Sequence, residues 1–306
     1  MNILISGASG LVGSALTPAL ESAGHTVNRL VRQRPAAGSA DVYWDPTGSF
    51  DPVGGIEGFD AVVHLAGESV AARWTRDRKA RILNSRKQGT MTVATAVARS
   101  KRPPRVVVSA SAVGYYGNRG DELLTEESTS GSDFLAEVAR QWEAALAPAT
   151  QAGVRAVMLR IGFVLSPRGG GLARMLPPFR MGLGGKVGSG RQWMSWISIT
   201  DVVGAILHAL ATESLSGAVN AVAPHPVTNA EFTRTLGRVL GRPTIFPLPG
   251  FAARLAFGEM ADVLLLASQR VQPGKLQLSG FQFRHPELEG ALRELLATAG
   301  SSLRSK

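Results

Sequence analysis

Seven residues near the start of the chain, Gly7-Ala8-Ser9-Gly10-Leu11-Val12-Gly13, have the spacing of a loop that holds phosphate. They follow Ile3-Leu4-Ile5-Ser6, a short β-branched run that reads as a buried strand. They lead into Val12, Leu16, Ala19, Leu20 and Ala23 at helical spacing. The first turn of a helix offers unpaired N–H groups and a partial positive charge, so it can hold a diphosphate through backbone alone. Gly7 permits the sharp turn, Gly10 admits a pyrophosphate with no side chain in between, and Gly13 lets the helix lie close to the sheet. Ser9, Leu11 and Val12 complete the expected cradle. The chemistry this context predicts is dinucleotide binding; the alternative is a tight corner that binds nothing.

The second strand, Val27 to Val31, ends in Arg32-Gln33-Arg34, with no acid before Asp41. An acidic side chain there would accept hydrogen bonds from an adenosine ribose, whereas a guanidinium pairs with a 2′-phosphate. NADP is therefore expected over NAD, with Arg32 as the leading contact and Arg34 or Arg29 behind it. Glu68 stands just beyond the third strand, Ala61 to Leu65, at the carboxyl end where ligands of open α/β sheets bind. It is a candidate substrate contact, with a loop cap as the alternative. Trp196 is a candidate substrate contact or a core residue, Asp201 fits a helix N-cap, and His64 reads as a core histidine. The five histidines are dispersed without metal-ligand spacing, so no metal is expected.

Positioning these residues requires strands whose ends converge, and the pattern supplies them. After the third strand come a helix from about Thr75 to Ala98, the break Pro103-Pro104 and the strand Arg105 to Ser109. A helix from about Ser132 to Thr150 and a strand from Ala156 to Arg160 follow. Nearly continuous apolar strands separated by helices predict a parallel sheet covered on both faces. Beyond Arg160 the rhythm breaks. The segments Gly169 to Gly171 and Gly184 to Gly190 read as lids over a substrate or simply as mobile glycine-rich connections. Trp193 to Ile199 reads as a strand, about Thr200 to Ala211 as a helix, and the proline-divided helices after Val227 as a smaller lobe. The expected class is α/β, a Rossmann-type doubly wound parallel sheet over residues 1–225 with a smaller C-terminal α/β lobe over 226–306.

Composition sets outer bounds. The 306 residues are 44% apolar and 18% charged, which is globular, and the absence of cysteine excludes disulfides, thiolate metal sites, thiol nucleophiles and iron–sulfur clusters. A net charge of +10 suits a protein that collects a polyanionic cofactor. No aromatic-interleaved basic motif or helix-turn-helix pattern accompanies the charge, so nucleic acid is not an expected partner. The dense basic stretch from Arg73 to Lys87 reads as a solvated helix face or as anion attraction beside a cofactor. No run approaches the ~20 apolar residues of a membrane span. The chain also opens without a basic leader and apolar run. A cytoplasmic protein with a small-molecule substrate and no membrane partner is expected, with a homodimer as a possible assembly.

The glycine spacing, Leu65-Ala66-Gly67 and Ser109-Ala110-Ser111-Ala112-Val113-Gly114-Tyr115-Tyr116-Gly117 resemble an extended short-chain dehydrogenase/reductase. More narrowly, the whole chain from about residue 1 to 297 resembles the atypical branch of that superfamily known as epimerase family proteins, whose C-terminal part is a domain of unknown function. Phe134-Leu135-Ala136 with Trp142-Glu143, Gly188 to Gln192 with Trp196-Ile197 and Asp201, Asn220 with Ala223-Pro224, and Ser268 to Val271 with Pro273 carry the likeness. The resemblance implies that Leu65, Ala66, Gly67 and Ser109 lie beside the cofactor. It also implies reversible hydride transfer between a nicotinamide and a carbon bearing oxygen.

That chemistry uses a proton relay: a phenol, a lysine four residues later that lowers its pKa, and a serine that orients the carbonyl. Counting on from Ser111, the phenol's position holds Phe134, and Val138 stands four residues later. Neither moves a proton. Ser111 remains as the serine arm, and Tyr115 or Tyr116 becomes the candidate general acid, the alternative being a ring that lines the pocket. Arg86, three residues before Gly89-Thr90, stands where extended members commonly carry asparagine. With Lys87 it is a candidate contact for the cofactor diphosphate or a substrate anion. Two functions follow: an NADP-dependent oxidoreductase or epimerase of altered mechanism on a small polar substrate, or a module that holds NADP(H) and reports redox state without turnover.

Overall fold

The computed structural model describes residues 1–50 and 55–304. The strands of the first half are β1 (Asn2–Ser6), β2 (Thr26–Val31), β3 (Val42–Asp45), β4 (Ser49–Phe50), β5 (Ala61–His64), β6 (Val106–Ala112) and β7 (Leu123–Leu124). Those of the second half are β8 (Arg155–Ile161), β9 (Phe163–Leu165), β10 (Trp193–Met194), β11 (Trp196–Ser198), β12 (Gly217–Ala221), β13 (Val227–Thr228) and β14 (Arg270–Val271). The helices are α1 (Leu11–Ser22), α2 (Arg76–Arg99), α3 (Phe134–Ala144), α4 (Ala147–Gln151), α5 (Gly170–Arg180), α6 (Ile199–Ala211), α7 (Asn229–Leu240), α8 (Gly250–Phe257), α9 (Gly274–Leu278) and α10 (Leu288–Arg304).

The strands with continuous apolar runs lie at the centre of the sheet. Ile3, Leu4 and Ile5 of β1, Val62 and Val63 of β5, and Val106 to Val108 of β6 are fully buried. Eight strands pair in the order β12-β8-β6-β5-β1-β2-β3-β4, parallel at every junction except β3–β4. Helices α1 and α6 cover one face, setting Leu16, Leu20, Val202 and Ile206 on Ile3, Ile5, Val63 and Val108. Helices α2 and α4 cover the other, setting Val93, Val97 and Ala149 on Leu4, Val62 and Val107. The doubly wound parallel sheet expected from the sequence is therefore what forms. From β1 the chain winds out through β2, β3 and β4, then returns to β5 on the other flank of β1. The crevice outside the carboxyl ends of β1 and β5, where the winding reverses, is where such sheets bind ligands.

Helix termini follow local chemistry. Thr75 caps α2 by accepting from Arg78 N, Asp133 caps α3 by accepting from Ala136 N, and Thr228 with Glu231 forms a full capping box on α7. Three expectations need correction. The single helix expected from Ser132 to Thr150 divides after Ala144, and Pro148, which has no N–H, sits in the first turn of the second piece, α4. The strand expected from Trp193 to Ile199 divides at Ser195, whose hydroxyl donates to Gln269 O (2.7 Å) and accepts from Val271 N (2.8 Å). The segment Gly184 to Gly190 is not a free lid. Phe246 N donates to Gly184 O (3.2 Å), Leu248 N to Lys186 O (2.9 Å) and Gly188 N to Leu248 O (2.9 Å). A Cβ on Gly185 would stand 2.0 Å from Phe246 O, so the segment is strapped to its neighbour.

A second core joins Leu165, Leu172 and Trp196 to Phe232, Leu236 and Leu292. Its docking on the sheet depends on Asp201. The N-cap of α6 is Ser198 rather than Asp201, and Asp201 does something else. Its Oδ1 accepts from Arg284 N (2.8 Å), and its Oδ2 accepts from His285 N (3.0 Å) and Ser198 Oγ (2.9 Å). The carboxylate is buried, so removing it strands three donors. Asp201→Ala is expected to destabilise the protein by roughly 3 kcal/mol, read as a lowered urea midpoint. A change within about 0.5 kcal/mol, the range of an ordinary surface substitution, would contradict the assignment.

Candidate functional site

The site is built outward from a corner where backbone touches backbone. Gly7 has φ +72°, and a Cβ there would lie 2.8 Å from Leu65 C and 2.9 Å from Ala66 N. A Cβ on Gly13 would lie 2.2 Å from Gly7 O. Only glycine lets α1 begin this close to the ends of β1 and β5. Gly10 is the N-cap of α1 and supplies no side-chain cap, and the first bond into the helix runs from Ser14 N to Gly10 O (2.9 Å). The amides of Leu11, Val12 and Gly13 therefore lack intrahelical acceptors, and Ser9 and Gly10 are exposed beside them. Leu65 and Ala66 are held at the corner by Ser6, whose Oγ accepts from Leu65 N (3.2 Å) and Ala66 N (3.3 Å).

Positive charge without a carboxylate partner surrounds this corner. Arg32 is exposed at the end of β2 and, among the described residues, makes no ion pair. Arg29 is bound to Asp41 (2.7 Å), and Arg34 lies 5.2 Å from the Tyr43 ring centroid. Arg86 lies against Gly67: a Cβ on that glycine would meet the guanidinium carbon at 3.2 Å. Its Nη1 donates to Glu68 O (2.9 Å) and Ile82 O (3.2 Å), and its guanidinium lies 4.8 Å from the Trp142 ring centroid. Burial pulls its pKa down to about 10, with the Glu68 charge opposing, so it stays cationic at neutral pH. The Glu68 carboxylate itself pairs with Arg78 (2.9 Å). A glycine cradle, free helix amides and the guanidiniums of Arg32 and Arg86, which make no ion pair among the described residues, fit a phosphorylated dinucleotide.

The candidate proton groups divide sharply. Ser109 is buried in β6 and donates to Ala110 O (3.2 Å). Ser111 is buried and donates to Glu143 Oε1 (2.7 Å). Glu143 in turn receives Arg160 Nε and Nη2, both at 2.8 Å. Tyr116 is entirely buried: its hydroxyl donates to Asn220 Oδ1 (2.7 Å) and accepts from Arg160 Nη1 (3.0 Å). Burial pushes its pKa up against the opposing pull of Arg160. The expectation of Tyr116 as a general acid meets an enclosed, doubly bonded phenol, and enclosure is the reason it fails. Tyr115 differs. It is half-buried, its ring lies 3.5 Å from the Arg160 guanidinium carbon, and among the described residues its hydroxyl has no partner.

Phe134 opens α3 with Trp74 edge-on at 5.0 Å and the Lys79 ammonium 4.6 Å from its ring centroid. Lys79 also binds both oxygens of Glu259 (2.8 and 2.9 Å). Val138 is buried one turn on. The structure does not bring Trp196 to this region. Its ring is fully buried in the second core and its Nε1 donates to His225 O (3.0 Å), which corrects its reading as a substrate contact. Sequence reasoning missed Arg160 and Lys79. A lone arginine inside the apolar run Ala156 to Ile161 was a readable signal for the first; only the fold links Lys79 to Phe134.

Fold and corner together define a Rossmann-type nucleotide-binding α/β protein. The chain matches the NAD dependent epimerase/dehydratase family over residues 3–221 and the domain of unknown function DUF1731 over residues 248–295, and it belongs to the first of these families. Epimerase family protein MT2273 of Mycobacterium tuberculosis is 48% identical over 292 residues, covering 95% of this chain and 96% of that protein. Human epimerase family protein SDR39U1 is 38% identical over 301 residues, covering 97% of this chain and all of that protein. The crystal structure of human SDR39U1 with NADPH superposes with a TM-score of 0.90 at 36% identity, covering 97% of this chain and 99% of that one. A nucleoside-diphosphate sugar epimerase from Corynebacterium glutamicum gives 0.78 at 41% identity, covering 96% of this chain and 58% of that one.

Behind the corner, His64 is fully buried, with Nδ1 2.7 Å from Ser6 Oγ and Trp44 edge-on at 5.8 Å. Because Ser6 Oγ already accepts two amides, its one proton goes to His64 Nδ1, which leaves the imidazole neutral. Desolvation pushes the pKa of His64 down to about 4. The unfolded chain takes up this proton near pH 6.5, so stability present above that pH is lost as pH falls towards 4, by on the order of 3 kcal/mol. Urea unfolding of the wild type and of His64→Gln from pH 7 to pH 4 should show a shallower decline in the variant. Identical slopes would contradict the burial of a neutral imidazole.

Proposed function

We propose that the chain binds NADP(H) in the crevice at β1 and β5. We propose further that it acts as an NADP-dependent oxidoreductase or epimerase-like enzyme on a small polar molecule, with a proton relay reduced to Tyr115. The observation that carries the cofactor reading is the uncapped first turn of α1, approached through Gly7, Gly10 and Gly13, beside an Arg32 that has no acid to pair with. Leu11, Val12 and Gly13 amides would hold the diphosphate, Arg32 the 2′-phosphate, and Arg86 a further anionic group over Gly67. When bound, the nicotinamide supplies or accepts hydride. NADPH in the human relative supports the same cofactor here.

Among the described residues, Tyr115 is the one candidate of its set whose hydroxyl has no partner; it follows the carboxyl end of β6, with the Arg160 guanidinium carbon 3.5 Å from its ring centroid. Ser111 and Tyr116 act through the Arg160 network as positioning residues. Residues 226–306 supply the substrate side, where Glu259 reaches Lys79 and the main chain at Gln269 meets Trp193. A second reading, a module that holds NADP(H) without turnover, is favoured by Phe134 and Val138, which cannot move protons.

Two measurements test these assignments. Arg32→Ala should weaken NADPH by about tenfold to a hundredfold in a fluorescence titration while leaving NADH unchanged; equal loss for both nucleotides would contradict the 2′-phosphate assignment. Wild type should oxidise NADPH with at least one member of a carbonyl panel. Tyr115→Phe should cut that rate by about 10²-fold or more with unchanged NADPH affinity. Binding without oxidation of any carbonyl would establish the second reading instead.

A further inference from the structure

Residues 166–200 and 232–258 contain five and four basic residues and no Asp or Glu. Parts of these two segments run side by side. The stretch after α5 is bonded along its length to the approach to α8, through Phe246 N to Gly184 O and Leu248 N to Lys186 O. Apolar side chains on these adjoining segments stand in water: Met181 is 66% exposed, Leu183 53%, Ile245 71%, Phe246 54%, Phe251 73% and Leu255 79%. Phe251 and Leu255, one turn apart, share a face of α8, while Ala253 between them is fully buried. So many exposed large apolar side chains on adjoining segments mark an interaction surface rather than scattered surface residues.

Charge identifies the partner. Among the described residues, Arg180, Lys186 and Arg242 on these segments make no ion pair, and no acidic side chain of either segment neutralises them. Exposed aromatic and aliphatic groups beside unpaired cations complement a layer of anionic headgroups over acyl chains. We propose that this face docks the protein on an anionic phospholipid surface. Docking is peripheral, because no helix among the described residues is long and apolar enough to cross a membrane. The expectation of no membrane partner rested on that same absence of a span, which bears only on insertion. The docked face adjoins the candidate site, since Glu259, which follows α8, holds Lys79 over Phe134.

The test is co-sedimentation of the full chain with vesicles of equimolar phosphatidylcholine and phosphatidylglycerol, and with vesicles of phosphatidylcholine alone. The protein should sediment with the mixed vesicles, weakly or not at all with the neutral ones, and less as salt rises. The double variant Phe251→Asp with Leu255→Asp should lower binding to mixed vesicles by about tenfold or more. Arg180→Gln with Arg242→Gln should lower it severalfold, and each pair should keep the wild-type melting temperature because all four side chains are exposed. Absence of sedimentation with mixed vesicles, equal sedimentation with both compositions, or full binding by both double variants would overturn the proposal. Capture by an acidic protein in place of the vesicles would overturn it in favour of a protein partner.

Discussion

The close approach of main chain at Gly7, Gly13 and Leu65 is the constraint on which the rest of the molecule depends. With a Cβ at Gly13 only 2.2 Å from Gly7 O, no other residue lets α1 start so near the end of β1. That proximity places an uncapped helix turn over the point where the sheet winding reverses, and leaves its amides for an anion. Ser6 and His64 buttress the corner from inside the sheet. The hydroxyl accepts the amides of Leu65 and Ala66 and gives its proton to a neutral imidazole. The cradle is thus set by packing before any ligand arrives.

Beyond the carboxyl end of β6, the organising interaction is a buried ion pair between Arg160 and Glu143. Arg160 holds Glu143 with two bonds, donates to Tyr116 and lies under Tyr115, so one guanidinium ties β8 to α3 and to the turn after β6. Breaking such a pair is costly because it leaves a buried charge uncompensated. The network therefore fixes the floor of the site firmly, and it does so by occupying the hydroxyls of Ser111 and Tyr116. The hydroxyl that the network does not occupy is that of Tyr115, which is why the proposed chemistry falls to it.

The parts of the molecule that repeat a local rule were readable in the sequence. The strand, glycine turn and helix at residues 2–22 and the apolar strands all announce themselves within a few residues, and with them the doubly wound sheet. What escaped depends on contacts between distant segments. Whether Tyr115 or Tyr116 keeps a free hydroxyl is decided by Asn220 and Arg160. Whether residues 184–190 hinge or stay strapped is decided by residues 246–248. Trp196 could be read as a substrate contact or a core residue, because aromatic type alone does not tell which core a ring enters; the structure buries it in the second core. Pro148 in the Ser132 to Thr150 segment was a local signal, and its compatibility with the first turn of a new helix explains the break there.

The most direct test of the central claim is the backbone amide spectrum of residues 8–13 during titration with NADPH. Diphosphate bound at the first turn of α1 should shift the Leu11, Val12 and Gly13 amide resonances strongly and saturably, with Arg32 side-chain signals moving in step. Saturable NADPH binding that leaves those amides unmoved would contradict the account.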